Sequence, residues 1–324
     1  MIATLLIAMA AGLASASMFA SIISGALVSL LLFYLAPLPL MVAALGWGPF
    51  CAAVGGITAA CILGLAFGLA YCAAFVLAIA LPAWWLGHLA LLGRPIATDA
   101  APADDAAALE WYPVGRILLW IAVFATITIT ATLLTFGSDA AAMRDTMRSS
   151  LTRILQSADV ALSDRRIDAL VILAPPAAAI IVMATLTLNL WLAAKIAATS
   201  GQLRRPWPDL KSTALPPLTL AVLFAAIALC FSAGLPAIVA QIVAAALTIA
   251  YALAGFAVLH TLTAALNNRS IWLSCSYLIV TLFSWPILLI AALGLADAVF
   301  GLRRRYLQGR SPPSPHPKSF KPLK

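Results

Sequence analysis

The first 93 residues contain no aspartate, glutamate, lysine or arginine, and the first formal charge in the chain is Arg94. Only 9% of the 324 residues are charged and 64% are apolar, whereas soluble domains carry about a quarter charged residues. Because about 20 apolar residues cross a bilayer as a helix, four crossings fit before Arg94. This composition excludes a soluble globule and predicts that most of the surface faces lipid.

The apolar pattern is that of helices rather than strands. Membrane-spanning β-strands alternate apolar and polar residues with a period of two, and segments such as 41–45 and 59–69 show no such alternation. We therefore predict an all-α, polytopic transmembrane helical bundle with about eight or nine membrane segments. The predicted spans lie near residues 2–20, 22–46, 48–69, 70–92, 115–137, 169–197, 214–233, 236–262 and 271–300.

Polar stretches divide the chain into four parts. Residues 1–93 form a charge-free N-terminal transmembrane bundle, and residues 94–114 form a polar loop. Residues 115–300 form a second transmembrane region, in which 138–168 is an amphipathic connector helix because apolar side chains recur there at helical spacing. These side chains are Met143, Met147, Leu151, Ile154, Leu155, Ala158 and Leu162. Residues 301–324, which are rich in proline and basic side chains, are predicted to be a disordered tail.

The distribution of basic residues predicts an orientation and exposes a conflict. Cytoplasmic loops of membrane proteins are enriched in lysine and arginine, so the loop 195–211 and the tail after Phe300 are both expected in the cytoplasm. The predicted spans place three crossings between these two stretches, and an odd number puts them on opposite sides. The segment 271–300 is the candidate for the error, because Trp285-Pro286 breaks it. It could form a re-entrant pair, or one span followed by an interfacial helix.

A stripe of small side chains recurs every four residues in the first half of the chain. Its members are Gly56, Ala60, Gly64, Gly68 and Cys72. On a single helix such a stripe lets a neighbouring backbone approach closely. Its ordinary meaning is packing between helices of one molecule, and the alternatives are a homodimer face or a ligand cleft.

Polar side chains within the apolar segments are the candidates for function, because they are costly in a membrane. Asn189 lies in the middle of a span and needs a partner on another helix, His260 ends the span 236–262, and Asp297 lies near the end of the last apolar stretch. Two of them also have a structural interpretation: hydrogen bonding for His260, and pairing with the arginines that begin at Arg303 for Asp297. All three are weak candidates for ligand binding.

No motif points to catalysis, a metal or a cofactor. The chain has no H-E-x-x-H zinc-protease motif, no G-x-S-x-G hydrolase motif and no G-x-x-x-x-G-K-[ST] nucleotide-binding loop. Its five cysteines lie in apolar spans without a C-x-x-C pair. We expect a binding or assembly protein rather than an enzyme, with no metal, no cofactor and no nucleic acid as a partner.

Several short blocks in the second half carry a family resemblance. They are residues 189–195, 200–210, 255–260, 293–297 and 303–305. In these blocks the chain resembles the YybS-like proteins, bacterial multi-pass membrane proteins classed as a domain of unknown function, so the resemblance implies no catalytic residues. It implies an N-terminal part similar to the S components of vitamin transporters and, more distantly, to the shape-determining protein MreD. The chain departs from the S components in its greater length, the insertion 138–168 and its extra C-terminal spans.

Two functions remain open at this point. The chain could be a small-molecule binding or transport subunit resembling S components, which bind a vitamin and rely on a separate energising ATPase module. Alternatively, it could be a structural or assembly protein of the cell envelope that contacts a protein partner through its tail and its amphipathic helix. Both interpretations place it across the lipid bilayer of the bacterial inner membrane, with the C-terminal tail in the cytoplasm.

Overall fold

A computed structural model describes residues 2–95, 109–210 and 213–308, and nearly all of these residues are helical. The prediction of an all-α polytopic bundle is confirmed. In chain order the α-helices are α1 (Ile2–Ala20), α2 (Leu27–Leu35), α3 (Pro37–Trp47), α4 (Pro49–Phe67), α5 (Leu69–Phe75), α6 (Leu81–Ala90), α7 (Val114–Leu134), α8 (Ala140–Ser157), α9 (Asp164–Thr199), α10 (Leu218–Leu229), α11 (Leu235–Leu262), α12 (Arg269–Phe283), α13 (Ile287–Phe300) and α14 (Leu302–Gln308).

Seven helical stretches among the described residues are long and apolar enough to cross a membrane. They are Ile2–Ser24, Leu27–Trp47, Pro49–Phe67, Leu69–Ala90, Val114–Leu134, Asp164–Thr199 and Leu235–Leu262. Helices α10, α12 and α13 are apolar but shorter. The polar loop predicted over 94–114 contains a feature that the sequence did not indicate: strands β1 (Gly93–Pro95) and β2 (Leu109–Trp111) pair antiparallel, and Arg94 forms an ion pair with Glu110 across them.

Glycine and proline set the helix boundaries within the charge-free segment. Gly48 (φ +104°) and Gly68 (φ +91°) end α3 and α4 in backbone conformations that residues with a side chain rarely adopt. Pro37 and Pro49 begin α3 and α4, where a missing N–H costs nothing. A single π-helical turn, Val76–Ala80, joins α5 to α6 just before Pro82; such turns are a recognised cause of helix bending.

The predicted small-residue stripe packs helices of one molecule against each other, but it does not lie on one helix. Because α4 ends at Phe67, Gly68 lies in the turn and Cys72 lies on α5. A Cβ placed on Gly64 would lie 3.3 Å from the Cβ of Cys72, and one on Gly56 would lie 3.2 Å from the Cβ of Ala80. The four-residue spacing therefore reflects two antiparallel segments that meet through small side chains.

The amphipathic segment is shorter than predicted. Helix α8 begins after Asp139, whose carboxylate accepts hydrogen bonds from the backbone N–H groups of Ala141 and Ala142, a typical N-cap. It ends at Ser157, and a turn separates it from α9, so 138–168 is not one helix. Its buried Met143 packs with Leu133 of α7 and Ile242 of α11.

All charged side chains in the described part of the chain lie at the two ends of the bundle. We call one end the basic end, because it holds nine basic and three acidic side chains: Arg94, Arg116, Lys195, Arg204, Arg205, Arg269, Arg303, Arg304 and Arg305 with Glu110, Asp209 and Asp297. The opposite end is balanced, with five of each sign: Arg144, Arg148, Arg153, Arg165 and Arg166 with Asp139, Asp145, Asp159, Asp164 and Asp168.

Contacts between distant segments define the basic end. Arg205 donates to the carbonyl oxygen of Ala90 at the end of α6, and Gly115 at the start of α7 lies against the carbonyl of Ala214. Helix α10 leaves this end, where Thr219 hydrogen-bonds Tyr251 of α11 at 2.8 Å. Helix α11 starts at the opposite end and returns.

Helices α12 and α13 form a hairpin that enters and leaves the bundle at the basic end. The carbonyl of Ile290 lies against Gly255, and that of Tyr251 lies against Gly294, a reciprocal contact that places α13 parallel to α11. The Tyr306 hydroxyl then donates to the Leu262 carbonyl at the end of α11. Helices α10 and α11 thus carry the chain from the basic loop to the opposite end and back, so the basic loop and α14 lie at the same end of the bundle.

The C-terminal tail begins later than predicted. Residues 302–308 of the segment 301–324 form α14, so this part is not disordered; the remainder, from 309, lies outside the described residues. The interactions that hold α14 include the Tyr306 hydrogen bond and an ion pair between Arg303 and Asp297. Since ordering a short helix needs such anchors, proline and charge content alone could not locate the boundary.

Candidate functional site

A cavity of about 720 Å³ lies near the basic end, between α7, α9, α11 and the loop that joins α9 to α10. This volume is within the usual range for small-molecule sites. Its walls are mainly apolar, with Ile117 and Leu118 from α7, Leu188 from α9, and Leu253 and Ala257 from α11. The helices meet here because their apolar faces share one core, which extends from the charge-free segment to α13.

The polar lining of the cavity includes Arg205 and Asp209, which do not pair with each other. Arg205 is half-buried, and its Nη1 donates to the Ala90 carbonyl oxygen at 3.2 Å. Within the described ranges no carboxylate forms an ion pair with it. Burial lowers the pKa of the Arg205 guanidinium from its ordinary value, but arginine stays protonated in proteins. Arg205 therefore brings a permanent, partly desolvated positive charge to the cavity, whose lining also includes Asp209.

Aromatic rings and a second cation surround the mouth of the cavity. The Lys195 Nζ lies 4.3 Å from the ring centroid of Trp207 and 6.0 Å from that of Trp191, and both tryptophans line the cavity. The Arg205 guanidinium lies 5.9 Å from the ring centroid of Trp111. Such cation–π contacts orient the cations without neutralising them.

His260 is the one of the three predicted candidates that lines the cavity. Its Nε2 lies 2.8 Å from the Tyr277 hydroxyl oxygen, and its Nδ1 lies 3.4 Å from Nη2 of Arg269. Tyr277 also stacks on Phe256, with ring centroids 4.9 Å apart. His260 thereby ties α11 to α12 and completes one wall of the cavity, as its interpretation as a hydrogen-bonded residue predicts.

Asn189 is buried on a different face of α9, and it is not among the residues that line the cavity. Its Nδ2 donates to the carbonyl oxygens of Tyr34 on α2, at 2.8 Å, and of Thr185, at 2.7 Å. The Tyr34 carbonyl lies just before the break between α2 and α3, where the regular helical hydrogen bonds are interrupted. The expected partner on another helix is present, and the role that the contacts support is structural.

Asp297 lies far from the cavity walls and pairs with the arginine cluster, as its structural interpretation predicts. Its Oδ2 accepts from Arg303 Nη2 at 2.7 Å, and its Oδ1 accepts from the Arg303 backbone N–H at 2.8 Å. Both side chains are nearly buried, at 10% and 12% exposed. This pair closes the turn from α13 to α14, and both carboxylate oxygens of Asp297 accept hydrogen bonds from Arg303.

The sequence pointed only weakly to the residues that matter most here. The stretch 202–211 was recognisable as a basic loop with an aromatic anchor, yet nothing in it distinguishes Arg205 from Arg204. The two arginines differ only in their tertiary contacts: Arg205 hydrogen-bonds the last residue of α6, whereas Arg204 is exposed. Thr187 was also missed; its buried hydroxyl has no hydrogen-bond partner among the described residues and lines the cavity.

A helical bundle with apolar spans, charges confined to its ends and an apolar cavity defines an integral, multi-pass membrane protein. Residues 12–298 match the model of the family described as predicted membrane protein (DUF2232). Because the match covers most of the chain, the protein belongs to this family. No curated protein and no solved structure matches the chain.

Proposed function

We propose that this protein is a small-molecule binding subunit of a membrane transport system, and that its ligand carries negative charge. The observation that carries the proposal is Arg205, which forms no ion pair with a carboxylate of the described residues and lies at one end of a largely apolar, ligand-sized cavity. An unpaired, partly desolvated charge is costly, so a site that keeps one is suited to a ligand of opposite charge. Arginine binds carboxylates and phosphates through two parallel hydrogen bonds.

Transport against a gradient needs a source of energy. The sequence contains no nucleotide-binding loop, and a transport role would therefore require a separate energising ATPase module, as the resemblance to S components implies. We propose a binding rather than a catalytic role, because the histidine that lines the cavity, His260, is engaged by Tyr277 and Arg269.

A ligand screen on two matched variants tests the proposal. The wild type, Arg205→Gln and Arg204→Gln would be purified in a neutral detergent, and their unfolding temperatures measured with a library of carboxylates, phosphates and neutral metabolites. We expect stabilisation by an anionic compound, with an affinity at least about tenfold lower in Arg205→Gln and unchanged in Arg204→Gln. A screen in which no anion stabilises the wild type, or in which both variants bind equally well, contradicts the proposal.

Envelope assembly is a second candidate, and an outward-facing groove favours it. The small side chains of Gly56, Ala60, Gly64 and Cys72 line a groove between α4 and the α5–α6 segment, and the nearby Leu65 is 91% exposed. Small residues on a lipid-facing surface admit a partner helix. Site-specific photo-cross-linking from Leu65 in cells should then recover one protein partner; cross-links to lipid alone would count against this role.

The location and orientation follow from the charges. We propose that the protein spans the bacterial inner membrane with the basic end in the cytoplasm. Among the described residues, that end has nine basic and three acidic side chains and the other has five of each, an asymmetry that the positive-inside rule associates with the cytoplasmic face. The N-terminus and the C-terminal tail would then both lie inside.

A further inference from the structure

The cavity is amphipathic along its length, and this constrains what can fill it. Apolar side chains of α7, α9 and α11 form most of its surface, whereas Arg205 and His260 lie towards the basic end. Lys195, above Trp207, adds positive charge on the same side. A small hydrophilic anion would neutralise Arg205 but would leave the apolar walls facing water or empty space. Since burial of apolar surface is the main source of binding energy in such pockets, the apolar walls favour a ligand with an apolar segment.

The rim of the cavity faces the membrane. Leu188, Trp191 and Tyr277 line the cavity and are 51%, 44% and 43% exposed. Helix α12, which carries Tyr277, has no buried residue along its whole length. Its side of the cavity is held by the Tyr277 contacts to His260 and Phe256. The opening between α9 and α12 is therefore bordered by side chains that a bilayer would cover with lipid.

We propose that the cavity binds a membrane amphiphile with a phosphate or carboxylate head and a long apolar chain, taken up from the bilayer between α9 and α12. The head lies at Arg205, and the chain lies along the apolar faces of α7 and α9. This inference rests on the proposed function and specifies its ligand class. It explains why one site combines a guanidinium that forms no ion pair with a described carboxylate, aromatic side chains at the interface and apolar walls open to lipid.

Photo-labelling in a bilayer tests the ligand class. Wild-type protein in nanodiscs of phosphatidylcholine would be labelled with hexadecyl phosphate that carries a diazirine near the chain end, and the cross-linked peptides mapped by mass spectrometry. We expect saturable labelling of α7 near Leu118 and of α9 near Leu188. Unlabelled hexadecyl phosphate should compete, whereas hexadecanol and inorganic phosphate should not. Half-saturation should rise at least about tenfold in Arg205→Gln, as expected for the loss of a charged hydrogen-bond donor, and stay unchanged in Arg204→Gln.

The outcomes separate this inference from the proposed function. Competition by inorganic phosphate, or stabilisation by hydrophilic anions without saturable labelling, would refute the amphiphile as the ligand. The proposed role as an anion-binding subunit would then remain. Labelling that is equally strong in Arg205→Gln, or competed by hexadecanol, would show general lipid contact and also overturn it. If neither amphiphiles nor hydrophilic anions bind in an Arg205-dependent way, both the inference and the proposed function are wrong.

Discussion

Asn189 joins two helices through a hydrogen bond to Tyr34, 155 positions away in the sequence. In the apolar interior of a bundle, water does not replace a lost donor, so a free carbonyl stays unsatisfied. The break between α2 and α3 exposes such carbonyls, and a second side chain helps at the same place: the Ser15 hydroxyl donates to the Ala36 carbonyl at 2.6 Å. At the level of single residues, these buried polar side chains donate hydrogen bonds to backbone carbonyls at the break between two helices.

Replacement of Asn189 tests this role. We expect Asn189→Leu to destabilise the protein by about 1–2 kcal/mol, towards the upper range for hydrogen bonds between membrane helices, because the Tyr34 carbonyl loses its donor. Thr187→Val on the same helix is the control, since the buried Thr187 hydroxyl has no partner among the described residues. Unfolding temperatures in a single detergent would be compared; equal losses in both variants would refute the assigned role.

At the scale of elements, glycines decide how closely helices pack. A Cβ on Gly255 would overlap the carbonyl oxygen of Ile290, and one on Gly294 would overlap that of Tyr251. Helices α1 and α4 pack in the same way, where a Cβ on Gly12 would overlap the Gly55 carbonyl. Close backbone approach of this kind is typical of membrane bundles, in which van der Waals packing replaces the hydrophobic effect between helices.

The α11–α13 contact gives a prediction at this scale. Gly294→Ala should destabilise the protein by roughly 1–3 kcal/mol, as overpacking does, even though alanine favours helices. Gly46→Ala in α3 is the matched control, because its Cβ would meet only the Cβ of Gln202, at 3.5 Å. We expect that control to be neutral or slightly stabilising. Thermal unfolding measures both, and a Gly294→Ala variant as stable as wild type would contradict the parallel packing of α13 on α11.

For the whole molecule, the α12–α13 hairpin decides the topology. Helix α12 runs for 15 residues from the basic end and has no buried residue. The chain turns back at Ser284, with φ +59°, and at the adjoining Trp285-Pro286. Loops that join α9 to α10 and α11 to α12 therefore share the basic end with α14.

Cysteine accessibility tests this topology. Single cysteines at Gln202, Asn268, Ser138 and Ser284 would be treated with a membrane-impermeant maleimide in spheroplasts, before and after permeabilisation, with the wild type as the blank. We expect cysteines at 202 and 268 to react only after permeabilisation, that at 138 to react in intact spheroplasts, and that at 284 to react in neither. Reaction at 284 together with 138 would mean that α12 crosses the membrane. Reaction at 202 in intact spheroplasts would reverse the proposed orientation.

The amino-acid sequence by itself determined the class of protein. Charge-free stretches that are long enough to cross a bilayer and lack the alternation of barrel strands are stable in lipid as helices, and the boundary predicted between residues 46 and 48 falls where Gly48 ends α3 and Pro49 begins α4. Even the break at Trp285-Pro286 was visible, because proline disrupts a helix through local geometry. These properties depend on near neighbours in the chain, which is why sequence reasoning reached them.

Only the folded structure reveals the position of the cavity, the direction of α13 and the different surroundings of Arg205 and Arg204. Each depends on which residue lies opposite another after folding: Ala90 beside Arg205, Tyr251 beside Gly294, and Tyr277 beside His260. Apolar helices of similar composition carry little information about their neighbours, since lipid and protein offer them nearly the same apolar surroundings. The charge-free first segment thus identified a membrane protein, while the packing of later helices against it determined where the cavity lies.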